Sequence, residues 1–417
     1  MNAYLGIDFG TSGARAIVID SSGQIAVQGS YPYLSSDQQP EIWHQALFDL
    51  IEQIPATLRS TIAAIALNGT SATVLLCDGQ GQPIDAPILY NDDRGAAFQA
   101  EWSDRVPPNH VAASATSSLA KLLWWQHQPV YTEARYFLHQ ADWLSFLLHG
   151  QPGISDYHNG LKLGYDVTQL TYPDWLTQSE FMPLLPRVLA PGTPIGPVLP
   201  AVRDRFGLPS HCQVCAGTTD SIAAFLAAGV TTPGQAVTSL GSTLVLKLLS
   251  RTPVEHRGYG IYSHRFGRFW LVGGASNTGG AVLNQYFTAT ELQDWSEQIP
   301  ADQESPLDYY PLLRSGERFP INDPHYPPRL EPRPTDPISF LHGLLESIAR
   351  IEARGYDLLQ ELGATPLSQV YTAGGGAKNR SWTHIRARHL RVPVSPSAQT
   401  EAAYGTALLA MRGILLQ

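Results

Sequence analysis

Residues 3–20 read AYLGIDFGTSGARAIVID and predict two strands joined by a turn that is rich in glycine and hydroxyl side chains. The apolar runs on either side of residues 10–13 are short and rich in β-branched side chains, which is typical of strands. A second turn at residues 21–23 (SSG) leads into another strand-like run. On this pattern the chain begins with strands joined by tight turns, and residues 10–13 form the tip of a β-hairpin.

The hairpin tip has the composition of a phosphate-binding loop. Gly13 lets backbone N–H groups approach phosphate oxygens, and the hydroxyls of Thr11 and Ser12 add donors. It is neither a Walker A loop nor a dinucleotide-binding loop, because both of those lead into a helix. Asp8 would repel phosphate directly, so we interpret it as a ligand of Mg²⁺, through water, that bridges the phosphates. An ordinary turn, with Asp8 accepting local N–H bonds, is the alternative.

A second stretch, residues 236–247 (AVTSLGSTLVLK), repeats the order of strand, glycine-hydroxyl turn and strand. The turn itself consists of Gly241, Ser242 and Thr243. This weak internal duplication predicts two related halves, each presenting a hairpin to one cleft with a nucleotide between them.

Length and composition favour a globular chain of two domains. The chain has 417 residues, of which 43% are hydrophobic and 15% charged. Its formal net charge of -9 argues against nucleic acid or an anionic membrane as partner. The most apolar run, residues 222–230, is too short to span a bilayer. The start of the chain lacks the pattern of a secretory signal, so we expect a cytoplasmic protein, or a stromal one in an organism with plastids.

The three cysteines do not predict a disulfide framework. Cys212 and Cys215 have the spacing of half a metal site, but no second cysteine pair completes a tetrahedral set. Their apolar neighbours predict a buried strand, in which positions three apart face opposite sides.

Five segments carry a further signal when they are taken in order: residues 6–13 (GIDFGTSG), 118–125 (SLAKLLWW), 216–221 (AGTTDS), 312–323 (LLRSGERFPIND) and 373–379 (AGGGAKN). Together they resemble the FGGY family of carbohydrate kinases, in the actin/Hsp70/hexokinase superfamily, over nearly the whole chain. The resemblance implies two α/β domains of RNase-H-like type, each with a five-stranded mixed sheet flanked by helices, and an active site in the cleft between them.

The resemblance also implies domain boundaries. An N-terminal domain, residues 1–229, binds sugar and phosphate, and a C-terminal domain, residues 230–400, binds nucleotide. Residues 401–417 form a last helix that packs back on the first domain. Independently, a helical apolar period predicts a long helix that ends near Gly363, with one face formed by Leu341, Leu344, Leu345, Ile348 and Ile351.

The family match assigns roles to individual residues. Asp220 becomes the catalytic base, although an aspartate before a helix is otherwise a favoured N-cap. Lys121 is assigned no chemistry, and the tryptophans beside it are interpreted as core. The sugar contacts are Asp8, Ser71, Asp93, Asp220 and Ser221, and for Ser71, Asp93 and Ser221 a turn residue or surface ion pair is an equal alternative. The nucleotide contacts are Thr11, Ser12, Gly13, Gly241, Ser242, Thr243, Gly279, Gly375, Gly376 and Asn379.

The implied activity is transfer of the γ-phosphate of ATP, with Mg²⁺, to the 5-hydroxyl of a ketopentose. Residues 68–71 (NGTS) stand where glycerol kinases carry an Arg-Glu pair, which disfavours glycerol. The pattern is closest to a short xylulokinase-like branch of cyanobacteria and plants, so D-ribulose is the predicted sugar. D-Xylulose or another polyol is the alternative, and an actin- or Hsp70-like ATPase switch is the alternative from another class. Sugar and ATP are the expected partners of a monomer or homodimer.

Overall fold

The computed structural model describes residues 2–34, 39–102, 104–107 and 109–415. The chain divides into two compact units. Unit 1 comprises residues 1–227 and 401–417, and unit 2 comprises residues 228–400. Each unit contains a mixed β-sheet and helices, which confirms the predicted fold class.

Unit 1 is built on a seven-stranded sheet with the order β3-β2-β1-β4-β10-β9. The seventh strand, β11, pairs with β4 on the same side as β10 and further along β4. Two short pairs, β5 with β6 and β7 with β8, lie outside this sheet. The strands are β1 Ala3–Phe9, β2 Gly13–Asp20, β3 Ile25–Pro32, β4 Ile62–Gly69, β5 Val74–Cys77, β6 Tyr136–His139, β7 Ile154–Asp156, β8 Arg187–Leu189, β9 Pro194–Pro197, β10 Gln213–Cys215 and β11 Thr218–Thr219.

The helices of unit 1 connect these strands. The α-helices are α1 Pro40–Gln53, α2 Ala56–Arg59, α3 Gln99–Trp102, α4 Ser118–Gln126, α5 Gln140–His149, α6 Tyr157–Leu161, α7 Asp174–Thr177, α8 Pro200–Phe206 and α9 Asp220–Ala227. Short 3₁₀ helices occupy Arg94–Phe98, Val111–Ala113, Pro129–Glu133 and Met182–Leu184.

Unit 2 contains a six-stranded sheet with the order β14-β15-β13-β12-β16-β17. Its strands are β12 Gln235–Leu240, β13 Leu244–Ser250, β14 Tyr262–Phe266, β15 Phe269–Ser276, β16 Gln369–Ala373 and β17 Val394–Pro396. Its helices are α10 Gly280–Tyr286, α11 Ala289–Ser296, α12 Pro337–Glu361 and α13 Arg380–Leu390, with 3₁₀ turns at Arg257–Tyr259 and Gly375–Lys378.

The two sheets repeat one five-strand topology. In unit 1 the first three strands are antiparallel neighbours, and β4 and β10 continue the sheet parallel to β1. In unit 2 the corresponding order is β15-β13-β12-β16-β17, with the same directions. The expectation of five strands was wrong in number, because β9 and β14 each add an edge strand and β11 adds a short strand that pairs with β4 beyond the end of β10.

The long helix α12 carries the predicted apolar face. All five of the residues that the helical period selects are buried: Leu341, Leu344, Leu345, Ile348 and Ile351. They belong to the large hydrophobic core of unit 2, together with residues of β12, β13 and α13. Asp336 caps the helix by accepting bonds from the backbone N–H groups of Ile338 and Ser339.

The last helix, α14 Ala402–Leu415, packs in unit 1 against β1, β4 and α9. Two glycines allow the close approach, because a Cβ at Gly6 would meet the carbonyl of Ala403 and a Cβ at Gly405 would meet the carbonyl of Ala223. Alanines on the inner side of α14 join a core cluster with Tyr4 of β1.

Cys212 and Cys215 are buried in different core clusters of unit 1, as the strand pattern predicts. Across the described ranges no group of three or more potential metal ligands is present. Nor do the helices within those ranges include one of the length and apolarity needed to cross a membrane.

Candidate active site

Three neighbouring strand ends of unit 1 bring the predicted site residues to one edge of the sheet. Strands β1 and β11 both run parallel to β4, one on each side of it. Asp8 lies opposite Asn68 in this register, and Thr218 lies opposite Asn68 from the other side. Asp8 near the end of β1, the turn after β4 and Asp220 after β11 therefore lie at the same edge.

Asp8 is a buried carboxylate, with 7% of its surface exposed. Burial, and then the nearby charge of Asp220, raise the pKa of Asp8 to about 7. Its Oδ1 atom is buried and has no hydrogen-bond partner among the described residues. A buried oxygen without a partner and with a raised pKa fits a group that binds a cation, which would supply the missing positive charge.

The residues that surround Asp8 include Asn68 and Thr406, and neither of their roles could be predicted from the sequence motifs. Asn68 stands beside it on β4 and donates a hydrogen bond of 2.7 Å from Nδ2 to Oγ1 of Thr406 on α14. The two partners are 338 positions apart and both fully buried. The last helix of the chain thus fixes the side chain next to Asp8.

Asp220 is the first residue of α9 and follows β11 directly. Its Oδ1 atom accepts a hydrogen bond of 2.6 Å from the backbone N–H of Ser221. Both residues are half-buried, and Asp220 is close enough to Asp8 to raise the pKa of that carboxyl. A half-exposed carboxylate beside a buried one is an arrangement that can accept a proton from a bound hydroxyl.

Ser71 is half-exposed in the turn after β4. It lies between Thr70 and Thr73, whose positions are fixed by hydrogen bonds. The hydroxyls of Thr70 and Thr73 are 2.6 Å apart, and Gln140 Oε1 accepts from the backbone N–H of Thr70 at 3.0 Å. Thr73 also accepts a hydrogen bond of 3.0 Å from the backbone N–H of Tyr90, which links this turn to the segment that carries Asp93.

The segment after Tyr90 separates two neighbouring aspartates. Asp92 forms an ion pair with Arg94, with a shortest N–O distance of 2.7 Å, and these hydrogen bonds hold the pKa of Asp92 below its usual range. The carboxylate of Asp93 is on an exposed residue. The surface ion pair considered as the alternative role of Asp93 is formed in the structure by its neighbour Asp92.

Both hairpins have the predicted form. In unit 1 the pairing of β1 with β2 leaves Thr11 and Ser12 exposed at the tip, with Gly13 as the first residue of β2. In unit 2 the strands β12 and β13 enclose residues 241–243. Exposed hydroxyls at a hairpin tip can donate to an anionic ligand.

The start of α10 lies directly on the unit 2 hairpin. Gly280 N–H donates to the carbonyl of Gly241 at 2.8 Å. Gly279 has φ +145°, and a Cβ there would come within 2.7 Å of the backbone of Thr243. Only glycine permits this contact, which explains the glycine that the family match places in the nucleotide site.

A cavity of about 820 Å³ lies in unit 2, next to this hairpin. Five of the predicted nucleotide contacts line it: Gly241, Ser242, Gly375, Gly376 and Asn379. Thr243 and Gly279 are outside its lining and lie against each other at the hairpin turn. The volume is in the range of cavities that enclose a drug-sized ligand.

Asn379 connects two walls of the cavity. Its Oδ1 atom accepts from the backbone N–H of Trp382 at 2.8 Å, which caps α13, and its Nδ2 donates to Ser296 Oγ of α11 at 2.7 Å. Sequence reasoning missed the wall that α10 and α11 contribute, which includes Leu283, Asn284, Leu292, Gln293 and Ser296. These residues have only the spacing of an ordinary amphipathic helix.

Comparison with known proteins gives the same picture as the motifs. The N-terminal domain model of the FGGY family of carbohydrate kinases matches residues 3–227, and the C-terminal domain model matches residues 236–414. The chain is 27% identical to a xylulose kinase of Escherichia coli K12 over 92% of this chain and 84% of that one. It is 23% identical to a xylulose kinase of Staphylococcus xylosus over 99% of this chain and 91% of that one.

The fold is similar to that of solved structures in this group. A xylulose kinase from Rhodospirillum rubrum superimposes with a TM-score of 0.83 at 22% identity, over 99% of this chain and 90% of that one. These relatives do not test the resemblance to the short branch of cyanobacteria and plants. Because the two domain models cover nearly all of the sequence, the chain belongs to the FGGY family of carbohydrate kinases.

Proposed function

We propose that this sugar kinase transfers the γ-phosphoryl group of ATP to the 5-hydroxyl of a ketopentose. The observation that carries the proposal is the edge of the unit 1 sheet, where Asp8 near the end of β1, the Ser71 turn after β4 and Asp220 after β11 lie at neighbouring strand ends. Two carboxylates of different burial beside a turn with a half-exposed hydroxyl suit phosphoryl transfer to an alcohol.

Asp220 acts as the base in this proposal. The sugar hydroxyl oxygen attacks the γ-phosphorus, its proton passes to the Asp220 carboxylate, and the bond from phosphorus to the bridging oxygen of ADP breaks. Thr11 and Ser12 are the phosphate donors that we propose for unit 1, and Gly241, Ser242 and Thr243 are those that we propose for unit 2. Gly375, Gly376 and Asn379 hold the adenosine.

Asp8 is the proposed Mg²⁺ residue. Its unpartnered buried oxygen and its raised pKa fit this role, and the ion would neutralise phosphate charge during transfer. Asn68, which donates to Thr406, also hydrogen-bonds to the Asp8 carboxylate through its side chain, and this bond would keep the carboxylate oriented.

D-Xylulose is the preferred sugar, and D-ribulose the second candidate. The relatives named above are xylulose kinases, so they favour the alternative over the D-ribulose that the sequence pattern predicts.

We expect kcat/KM for D-xylulose to exceed that for D-ribulose by about 10²-fold or more, because a site built to pair a hydroxyl rejects the epimer that misplaces it. Glycerol should be negligible. Ser71→Ala should raise the KM for the preferred sugar and leave the KM for ATP unchanged. The measurement is coupled ADP release with the three substrates side by side. If kcat/KM were higher for D-ribulose, the assignment as a sugar kinase would stand and D-ribulose would replace D-xylulose as the proposed sugar.

The same assay separates the kinase from an ATPase switch on this fold. A switch protein would release ADP at the same rate with and without sugar, whereas a kinase needs the acceptor. Sugar-independent ADP release at the full rate would therefore overturn the proposed function.

Asn379→Ala should raise the KM for ATP by about 10-fold, because it removes the cap of α13 and the link to Ser296 that shape the cavity wall. The KM for the sugar should stay within a factor of about two. Asp336→Ala is the matched control, since it removes the cap of α12 in the same unit. If the control raised the KM for ATP equally, Asn379 would have only a role in stability.

A further inference from the structure

Lys121 is a fully buried lysine that the mechanism above does not use. It lies on α4 in unit 1, inside the SLAKLLWW segment, with 0% of its surface exposed. A lysine is almost never buried unless its ammonium group has partners, because removing the charge from water is strongly unfavourable. Its partners therefore show what the residue is for.

The Nζ atom of Lys121 donates to two backbone carbonyls, Ala72 O and Leu89 O, each at 2.7 Å. The first belongs to the turn that carries Ser71. The second immediately precedes Tyr90, in the segment that leads to Asp93. One side chain thus connects the two segments that hold the proposed sugar contacts.

The turn at Ala72 needs such support. Ala72 has φ +66°, a left-handed conformation that a residue with a Cβ adopts only at a free-energy cost. Its carbonyl is directed to the Lys121 ammonium, and a charged donor makes a stronger hydrogen bond than a neutral one. The hydrogen bond therefore offsets the cost of the conformation that places Ser71.

The two segments are also paired further from their tips. Val74 and Ile88 exchange two backbone hydrogen bonds of 3.0 Å, and Thr73 accepts from the N–H of Tyr90. Lys121 extends this pairing to Ala72 and Leu89, next to the proposed sugar contacts.

Burial lowers the pKa of Lys121 to about 7; the positive charge of Lys162 acts in the same direction and the negative charge of Asp92 opposes it. The ammonium has three N–H donors and the neutral amine has two. Either form can therefore donate to both carbonyls, and the ammonium makes the stronger hydrogen bonds.

We propose that Lys121 is a positioning residue for the sugar site, which sets the geometry of the Ser71 turn and of residues 90–93 by holding the two segments together through their carbonyls. The inference rests on the proposed function, because it assigns these two segments to the sugar. It goes beyond that function because it attributes the geometry of the turn to Lys121, a residue of helix α4.

The test compares Lys121→Met, which keeps the length and removes the donors, with Lys121→Gln, which keeps N–H donors on a shorter side chain. We expect the KM for the sugar to rise about 10-fold or more in Lys121→Met and less in Lys121→Gln. The KM for ATP should change by less than about twofold in both. Ser117→Ala is the control, because it removes the cap of the same helix without touching either segment.

A rescue variant distinguishes positioning from general stability. Glycine adopts the left-handed conformation freely, so adding Ala72→Gly to Lys121→Met should recover part of the sugar KM. If Lys121→Met does not fold, Lys121→Gln alone decides between the two roles, through its ratio of sugar KM to ATP KM.

Two outcomes are separable. An active wild type whose Lys121 variants keep the sugar KM, or raise both KM values as Ser117→Ala does, overturns the role of Lys121 and leaves the kinase intact. A wild type without sugar-dependent ADP release overturns the proposed function and this inference with it.

Discussion

Asp220→Asn is expected to lower kcat for sugar phosphorylation by about 10²–10⁴-fold, because the amide cannot accept the proton of the attacking hydroxyl. ATP binding should persist, since the cavity that we propose for the nucleotide lies in unit 2 and Asp220 lies in unit 1. Single-turnover kinetics, with ATP affinity measured by calorimetry, give both quantities.

The control for this variant is Asp174→Asn, which makes the same change on an exposed helix position of the same unit. It should retain full activity. Near wild-type turnover in Asp220→Asn would instead favour the interpretation of Asp220 as a helix N-cap, and the proposed base would have to be another group.

Asp8→Asn is expected to remove most Mg²⁺-dependent turnover and at the same time to stabilise the protein above pH 7. The native state holds a proton on Asp8 up to about pH 7, because its pKa is raised to about 7, whereas the ordinary pKa of 3.8 applies to the unfolded chain. The unfolding free energy that Asp8 contributes therefore falls as pH rises from about 4 to 7. In Asp8→Asn the side chain does not titrate, so the free energy of unfolding does not fall over this pH range for this reason.

The measurement is Tm without Mg²⁺ at pH 5 and pH 8. The gain of Asp8→Asn over wild type should be larger at pH 8, by at least about 2 °C. Asp220→Asn provides a second readout, because it removes a charge that raises the Asp8 pKa and should lower that pKa in a carboxylate titration. An equal Tm difference at both pH values would contradict the raised pKa.

Local patterns in the sequence predict both hairpins and the long helix. The tips at residues 10–13 and 241–243 combine glycine with hydroxyls between β-branched runs, and the face of α12 follows a helical period. These features depend on residues that are close together in the sequence, so a local pattern is enough to predict them. The extra marginal strands β9 and β14 could not be predicted, because short edge strands have no pattern distinct from loops.

The candidate site divides in the same way. Asp8 and Asp220 follow from motifs at strand ends, whereas the Asn68–Thr406 bond joins residues 338 positions apart and has no local signal. Lys121 shows a related difficulty. Its buried ammonium is explained only by two carbonyls from distant turns, and every residue type has the same backbone carbonyl.

The packing of α14 against β1 has a consequence for the order in which the protein is made. Unit 1 is discontinuous, since its last helix is translated only after all of unit 2. Domains generally fold as units during synthesis. Unit 2, a single uninterrupted stretch, is therefore the first to have its whole sequence outside the ribosome. Gly6 stays uncovered until Ala402–Leu415 emerges, and the Asn68 side chain acquires its partner Thr406 only after unit 2 has been translated. A nascent chain stalled before residue 401 should thus contain a folded unit 2 and an incomplete unit 1.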